Sequence, residues 1–271
     1  MSMSRFADLD GRWIAVEVAA TSANLGAGYD CMAVALEFVN RVEVECLARP
    51  GAGVEIAVEG EGAGELPEDR SNAFVVALER GLAEVRGDGA GELGWRIQMR
   101  NRIPLARGLG SSAAATVGGL LAGAALAGES LGVERALALA TRDMRAALPE
   151  TVPLADAVAN LQRVALGVAA LAGGSADGLR HLTVDRLHEP YRASVFPQLP
   201  TLVGAARDAG ALGACLSGAG STVIAFADSL SGLTRIEGAL RAAAADVDLP
   251  GRVELVAPRN AGARVEQPLA T

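Results

Sequence analysis

The stretch Pro104-Leu105-Ala106-Arg107-Gly108-Leu109-Gly110-Ser111-Ser112-Ala113-Ala114-Ala115 holds the residues best suited to chemistry. Gly108 and Gly110 let the backbone curl so that its N–H groups converge on an anion. Two serines follow, then an uncharged apolar run from Ala113 to Leu126 that predicts a buried helix. A glycine-rich loop opening a helix offers unpaired N–H groups and the positive end of the helix dipole to phosphate. All 24 basic residues are arginines, so a Walker-type loop with its phosphate-reaching lysine is excluded. Three more segments carry polar groups in suggestive patterns. Thr21–Asp30 pairs turn glycines with the amide of Asn24 and the carboxylate of Asp30, fit either for a polar substrate or for a capped turn. Leu216-Ser217-Gly218-Ala219-Gly220-Ser221-Thr222 reads as a hairpin or as a second backbone contact to ligand. In Asp185–Arg192, Arg192 could clamp a carboxylate or lie solvated, while His188 reads as a capping or surface residue. With His181 seven positions away and no cysteine nearby, the histidines do not read as metal ligands.

The elements that must position these groups follow from hydrophobic patterning. Strands are predicted at Arg12–Ala19, Ala33–Leu47, Val54–Glu59 and Leu93–Met99, with a helix over Asn72–Val85. The second half reads as helices at Leu154–Leu171, Ala176–His188, Leu202–Ala209 and Leu230–Ala245, with strands at Ser221–Ala227 and Arg252–Val256. The pattern is α+β, helices layered on an antiparallel sheet.

Composition narrows the function. A net charge of −8 and 24 scattered arginines argue against a nucleic-acid surface. Three scattered cysteines fit a reduced compartment without a disulfide framework. The charged N-terminus lacks the apolar core of a signal peptide, and the uncharged stretch Gly108–Gly128 reads as a core helix rather than a membrane span. The expectation is a soluble, cytoplasmic protein with no membrane or nucleic-acid partner.

Taken in order, Thr-Ser-x-Asn-Leu-Gly-x-Gly, the Pro-x-x-x-Gly-Leu-Gly-Ser-Ser-Ala loop, Asp-x-Leu-His-x-Pro-Tyr-Arg and Leu-Ser-Gly-Ala-Gly resemble the homoserine kinases of the GHMP small-molecule kinase superfamily. The resemblance spans about Val16 to Asp228 and includes Leu139–Arg145. It implies a fold with an N-terminal domain like ribosomal protein S5 domain 2 (residues 1–138) and a shortened ferredoxin-like C-terminal domain (residues 139–271). It also implies an ATP-dependent transfer to the hydroxyl of L-homoserine within threonine biosynthesis, with Mg²⁺, and a homodimer. By the same resemblance, Asn24 and Asp30 hold the amino acid and its reacting hydroxyl. Thr141, Arg145 and Arg192 contact the substrate, with Gly218 beside it. Asn72 lies near adenine, Pro104 to Ala114 cradle the phosphates, and Ser112 reaches Mg²⁺. Positioning and charge neutralisation supply most of the catalysis of such a step, so no strong general base is demanded.

The chain departs from the family pattern in places. Ala19, Ala27 and Ser221 stand where proline is usual. Around residues 139–144 the helix after the cradle runs straight into Thr141-Arg142-Asp143-Met144-Arg145, and no His-Pro-Asp-Asn segment occurs. Several tens of residues, with an acidic Mg²⁺ ligand among them, are missing relative to that pattern; Glu129 and Glu134 are the nearest acids and read as solvent-facing. Three rival readings stand beside the kinase. A dinucleotide site at Gly108, Gly110 and Ala113 lacks the βαβ setting it requires. A mevalonate or sugar kinase would not need the two arginines. A nucleotide-binding remnant would keep the cradle without catalysis.

Overall fold

The structure, a computed structural model, describes residues 3–140 and 151–267. Thr141 and Arg145 lie outside the described residues. Strands β1 (Trp13–Leu25) and β2 (Gly28–Leu47) form a long antiparallel hairpin whose register slips at Ala19/Ala20 and Ala23/Leu25. The strands thus run through most of Thr21–Asp30, and only Gly26 and Ala27 form the turn. β3 (Val54–Gly60) and β4 (Gly94–Asn101) are joined through helix α1 (Ala73–Arg86) and pair in parallel. A helical crossover permits that arrangement where a tight hairpin cannot. The sheet is therefore mixed, not antiparallel throughout, in the order β3-β4-β2-β1-β7, where β7 is Arg264–Glu266.

Period-two burial divides the sheet faces. Trp95, Ile97 and Met99 of β4 point inward, while Arg96, Gln98 and Arg100 point outward. Onto the inner face pack α1, through Phe74, Leu78 and Leu82, and α2 (Ser111–Leu126), through Ala122 and Leu126. The small residues of α2 serve this helix pair. A Cβ at Gly119 would lie 2.4 Å from the Phe74 carbonyl oxygen, and one at Gly123 would lie 2.1 Å from that of Leu78. The apolar run is a core helix, as its composition predicts.

After α3 (Val133–Ala140) come α4 (Leu154–Ala172), α5 (Gly178–Leu182), α6 (Glu189–Arg192) and α7 (Leu199–Asp208). An antiparallel pair, β5 (Gly213–Leu216) and β6 (Val223–Phe226), precedes α8 (Leu230–Asp246). Phe196, Leu199, Leu202, Leu216 and Ile236 build a second core here. Helix α4 is long and apolar enough to cross a membrane by length and composition; Asn160 and Gly167 are its buried residues, and most of the rest are exposed or half-buried.

Two predicted elements differ from the sequence expectation, and one strand, β7, is additional. Ala176–His188 is not one helix: α5 has five residues, and the chain restarts as α6. Arg252–Val256 is an extended tail held by Arg252 ion pairs to Glu61 and Glu254, not a strand. The tail continues through a bridge at Pro258 to β7, which pairs with β1.

Candidate active site

The cradle is built where α2 meets the ends of two hairpins. Gly110 caps α2 with φ of 75°, and the first in-helix hydrogen bond runs from Ala114 N–H to the Gly110 carbonyl. The amides of Ser111, Ser112 and Ala113 precede it and open toward the loop. The Leu109 carbonyl accepts from Thr21 N–H at 3.1 Å, fixing the loop to β1. On the other side, Ser217 Oγ donates to the Gly108 carbonyl at 2.9 Å, and Gly218 N–H donates to the Ala23 carbonyl at 2.8 Å. Gly108 is obligatory on two counts: its φ is +74°, and a Cβ there would lie 2.1 Å from the Ser217 carbonyl oxygen. All three glycine-rich segments thus meet at one place. Ser112 is exposed at the mouth of the cradle.

A second cluster surrounds the β1–β2 turn. Asn24 Oδ1 accepts from Asp30 N–H at 2.9 Å, and both residues sit at positive φ, 58° and 56°. The turn is embedded: Ala27 N–H donates to the Leu182 carbonyl at 2.7 Å, and His188 Nε2 donates to the Gly26 carbonyl at 3.0 Å. Asp185 organises the segment that supplies His188. Its Oδ2 accepts the backbone N–H groups of Leu187, His188 and Glu189 at 3.0, 2.7 and 2.8 Å, which is why a new helix starts here. Asn160 of α4 donates to Asp185 Oδ1 at 2.6 Å and accepts from Arg186 N–H. Arg192 closes α6, its N–H bonded to the His188 carbonyl, and its Nε is buried without a hydrogen-bond partner. A buried guanidinium nitrogen without a partner is uncommon in folded proteins.

The chain matches the models for the GHMP kinases N terminal domain over residues 72–161 and for GHMP kinases C terminal over residues 154–246. A homoserine kinase of Moorella thermoacetica is 34% identical over 301 positions, covering 92% of this chain and 99% of that protein. The chain belongs to the homoserine kinase family, within the GHMP kinases. A homoserine kinase of Carboxydothermus hydrogenoformans is also 34% identical, over 79% of this chain and 85% of its own length. The crystal structure of a homoserine kinase from Cytophaga hutchinsonii shares the fold, with a TM-score of 0.73 at 24% identity over 94% of this chain and 95% of that one. The alignment with the Moorella protein is longer than the 271 residues of this chain, so that relative carries residues with no counterpart here.

Membership makes the chain an ATP-dependent small-molecule kinase. Within this kinase fold, the residues expected from the sequence fall into two groups. Pro104 to Ala114 form the cradle, with Gly218 against it; Asn24, Asp30 and Arg192 gather around the turn and α6. Asn72 is the buried N-cap of α1. Its Oδ1 accepts from Phe74 N–H and its Nδ2 donates to the Pro67 carbonyl. Glu129 and Glu134 are exposed, as expected. Among the described residues, no three His, Cys, Asp or Glu side chains gather to hold a metal.

His188 stands at the N-cap position of α6, but its side chain makes no capping bond and it is fully buried, not at the surface. Burial lowers its pKa, partly countered by Asp185. Glu189 was not anticipated either. Its Oε1 accepts from Leu216 N–H at 2.6 Å, and burial pushes its pKa up to about 7. Two signals for this cluster stand in the sequence: Asp185 at capping distance before Pro190, and Asn160 within the largely apolar α4.

Proposed function

We propose that this chain transfers the γ-phosphoryl group of ATP to the hydroxyl of L-homoserine, giving O-phospho-L-homoserine for threonine synthesis. The observation that carries this reading is the buried, unpartnered Arg192 Nε on a segment tied to the turn that bears Asn24 and Asp30. An amino-acid carboxylate on Arg192 and its hydroxyl near Asn24 and Asp30 use these groups at once. A neutral sugar acceptor has no carboxylate to place on Arg192. On the donor side, the first-turn amides of α2 and the backbone curl of Gly108 and Gly110 suit the phosphates. Thr141 and Arg145 complete the substrate set in this reading, and Asn72 marks the end of α1 nearest adenine.

Mg²⁺ fits this site through few protein ligands. Such an ion keeps waters and binds mainly through phosphates, and the exposed Ser112 hydroxyl is the protein group at the cradle mouth. When bound, it neutralises charge on the transferring group. The protein supplies the rest: helix-end amides hold the donor, Arg192 orients the acceptor, and Asn24 and Asp30 hold its hydroxyl. A division near residue 138 separates a cradle-bearing domain from a substrate-side domain; two distinct cores support it, with β7 returning to the first sheet.

The want of a His-Pro-Asp-Asn segment in the sequence motivates a second reading, a nucleotide-binding remnant. The surplus length of the Moorella alignment supports an internal loss. The test is ADP release from ATP, Mg²⁺ and L-homoserine, with the ATP-induced thermal shift as control. Homoserine-dependent ADP establishes the kinase and shows the segment dispensable. A clear ATP shift without turnover establishes the remnant.

A further inference from the structure

We propose that His188 is a positioning residue for the phosphoryl acceptor: its Nε2–H grips the Gly26 carbonyl and holds the Asn24–Asp30 turn in register with Arg192. The inference rests on the proposed homoserine reading and adds to it a residue that touches neither substrate nor nucleotide.

The protonation state of the ring follows from its contacts. A carbonyl can only accept, so Nε2 carries the proton. Nδ1 is buried with no partner, and a proton there would be an orphaned donor in a fully buried ring. Burial favours the neutral ring, with Nε2–H aimed at the Gly26 carbonyl and the Asn24 backbone also against it. Its face lies 5.1 Å, centroid to centroid, from Tyr29, the residue before Asp30.

The turn needs such support. Asn24 and Asp30 both hold left-handed backbone conformations, which cost free energy and persist only where the surroundings determine them. Other restraints come from elsewhere: the Leu182 carbonyl ends α5, and Asn160 on α4 reaches the Ala27 carbonyl at 3.4 Å. His188 differs because its own carbonyl accepts from Arg192 N–H at 3.0 Å. One residue thus ties the groups proposed for the hydroxyl end of the acceptor to the group proposed for its carboxylate end.

The test compares His188→Asn with His188→Gln. The glutamine amide nitrogen reaches the depth of Nε2 and can donate to the Gly26 carbonyl; the asparagine nitrogen stops at the depth of Nδ1. Both variants lose the ring. H188N is expected to lower kcat/KM for homoserine by about ten- to a hundredfold, the scale of a small misplacement of reacting groups, with the KM for ATP unchanged. H188Q is expected to recover most of that loss. Amide hydrogen exchange gives a readout without turnover: Ala27 and Asp30 should exchange faster in H188N but not in H188Q, with α2 unaffected. Equal losses in the two variants, or parallel losses toward ATP and homoserine, would overturn the proposal. If H188N fails to fold, a folded H188Q decides, since wild-type exchange and kcat/KM support the proposal and loss of either refutes it. Should the wild-type chain not phosphorylate homoserine, the functional reading falls while the exchange comparison still decides whether His188 sets the turn.

Discussion

Gly108 shows how closely single residues are specified around the cradle. An alanine there meets both a left-handed backbone and the Ser217 carbonyl. The φ alone costs about 1–2 kcal/mol, and the clash must push the third glycine segment away. Gly108→Ala is therefore expected to lower the unfolding midpoint in denaturant and to abolish the ATP-induced thermal shift. Arg192→Lys tests the other half of the site. Lysine keeps the charge but loses the planar fork, so the KM for homoserine should rise about tenfold or more while the KM for ATP holds. Both residues are legible in the sequence, the glycine because a phosphate loop demands it and the arginine by resemblance. His188 and Glu189 are not legible in the same way. Nothing in local composition says that a histidine beside Asp185, Arg186 and Glu189 is buried, because burial there comes from α4, α5 and the β1–β2 turn, all remote in sequence.

Among the elements, the segment from Asp185 to Arg192 does more than its short helix suggests. On one side it holds the turn through His188; on the other, Glu189 holds Leu216 at the end of β5, the strand that leads into the Ser217–Gly218 contact with the cradle. The acceptor and donor sides share this brace. Burial raises the Glu189 pKa from 4.5 to about 7, so the native state keeps its proton where the unfolded chain has lost it. The unfolded state then binds fewer protons between those values, and this group makes stability fall as pH rises from about 4.5 to about 7. Glu189→Gln removes the dependence. Its melting temperature relative to wild type should climb between pH 5 and pH 8, by thermal denaturation across that range, and a flat difference would contradict the assignment. Element boundaries in this region were the hardest to read, since Ala176–His188 has helical periodicity throughout. The break comes from three amides competing for one carboxylate, a choice that periodicity does not register. Strand β7 was missed because three exposed residues carry no alternation signal.

The whole molecule is joined at its seams by arginine. Arg41 on β2 pairs with Glu17 on β1, with Glu43, and with Glu266 on β7, and these contacts hold its pKa above the usual arginine value. Arg259 reaches Glu37, and Arg252 reaches Glu61, so the tail is fastened along its course. Arg41→Ala leaves three carboxylates without their shared cation. It should lower stability by about 1 kcal/mol or somewhat more at low salt, less at high salt, by urea denaturation at two ionic strengths. The fold class and the first sheet's helices were legible from patterning, whereas the parallel β3–β4 pairing depends on which strands the α1 crossover brings together. The place of β7 has a consequence for synthesis. Residues 264–266 are translated more than 200 residues after β1, so the outer edge of β1 goes without this partner over that interval. Until residues 264–266 emerge, that edge is available to any other extended chain, and β7 then covers it at Ala15–Glu17.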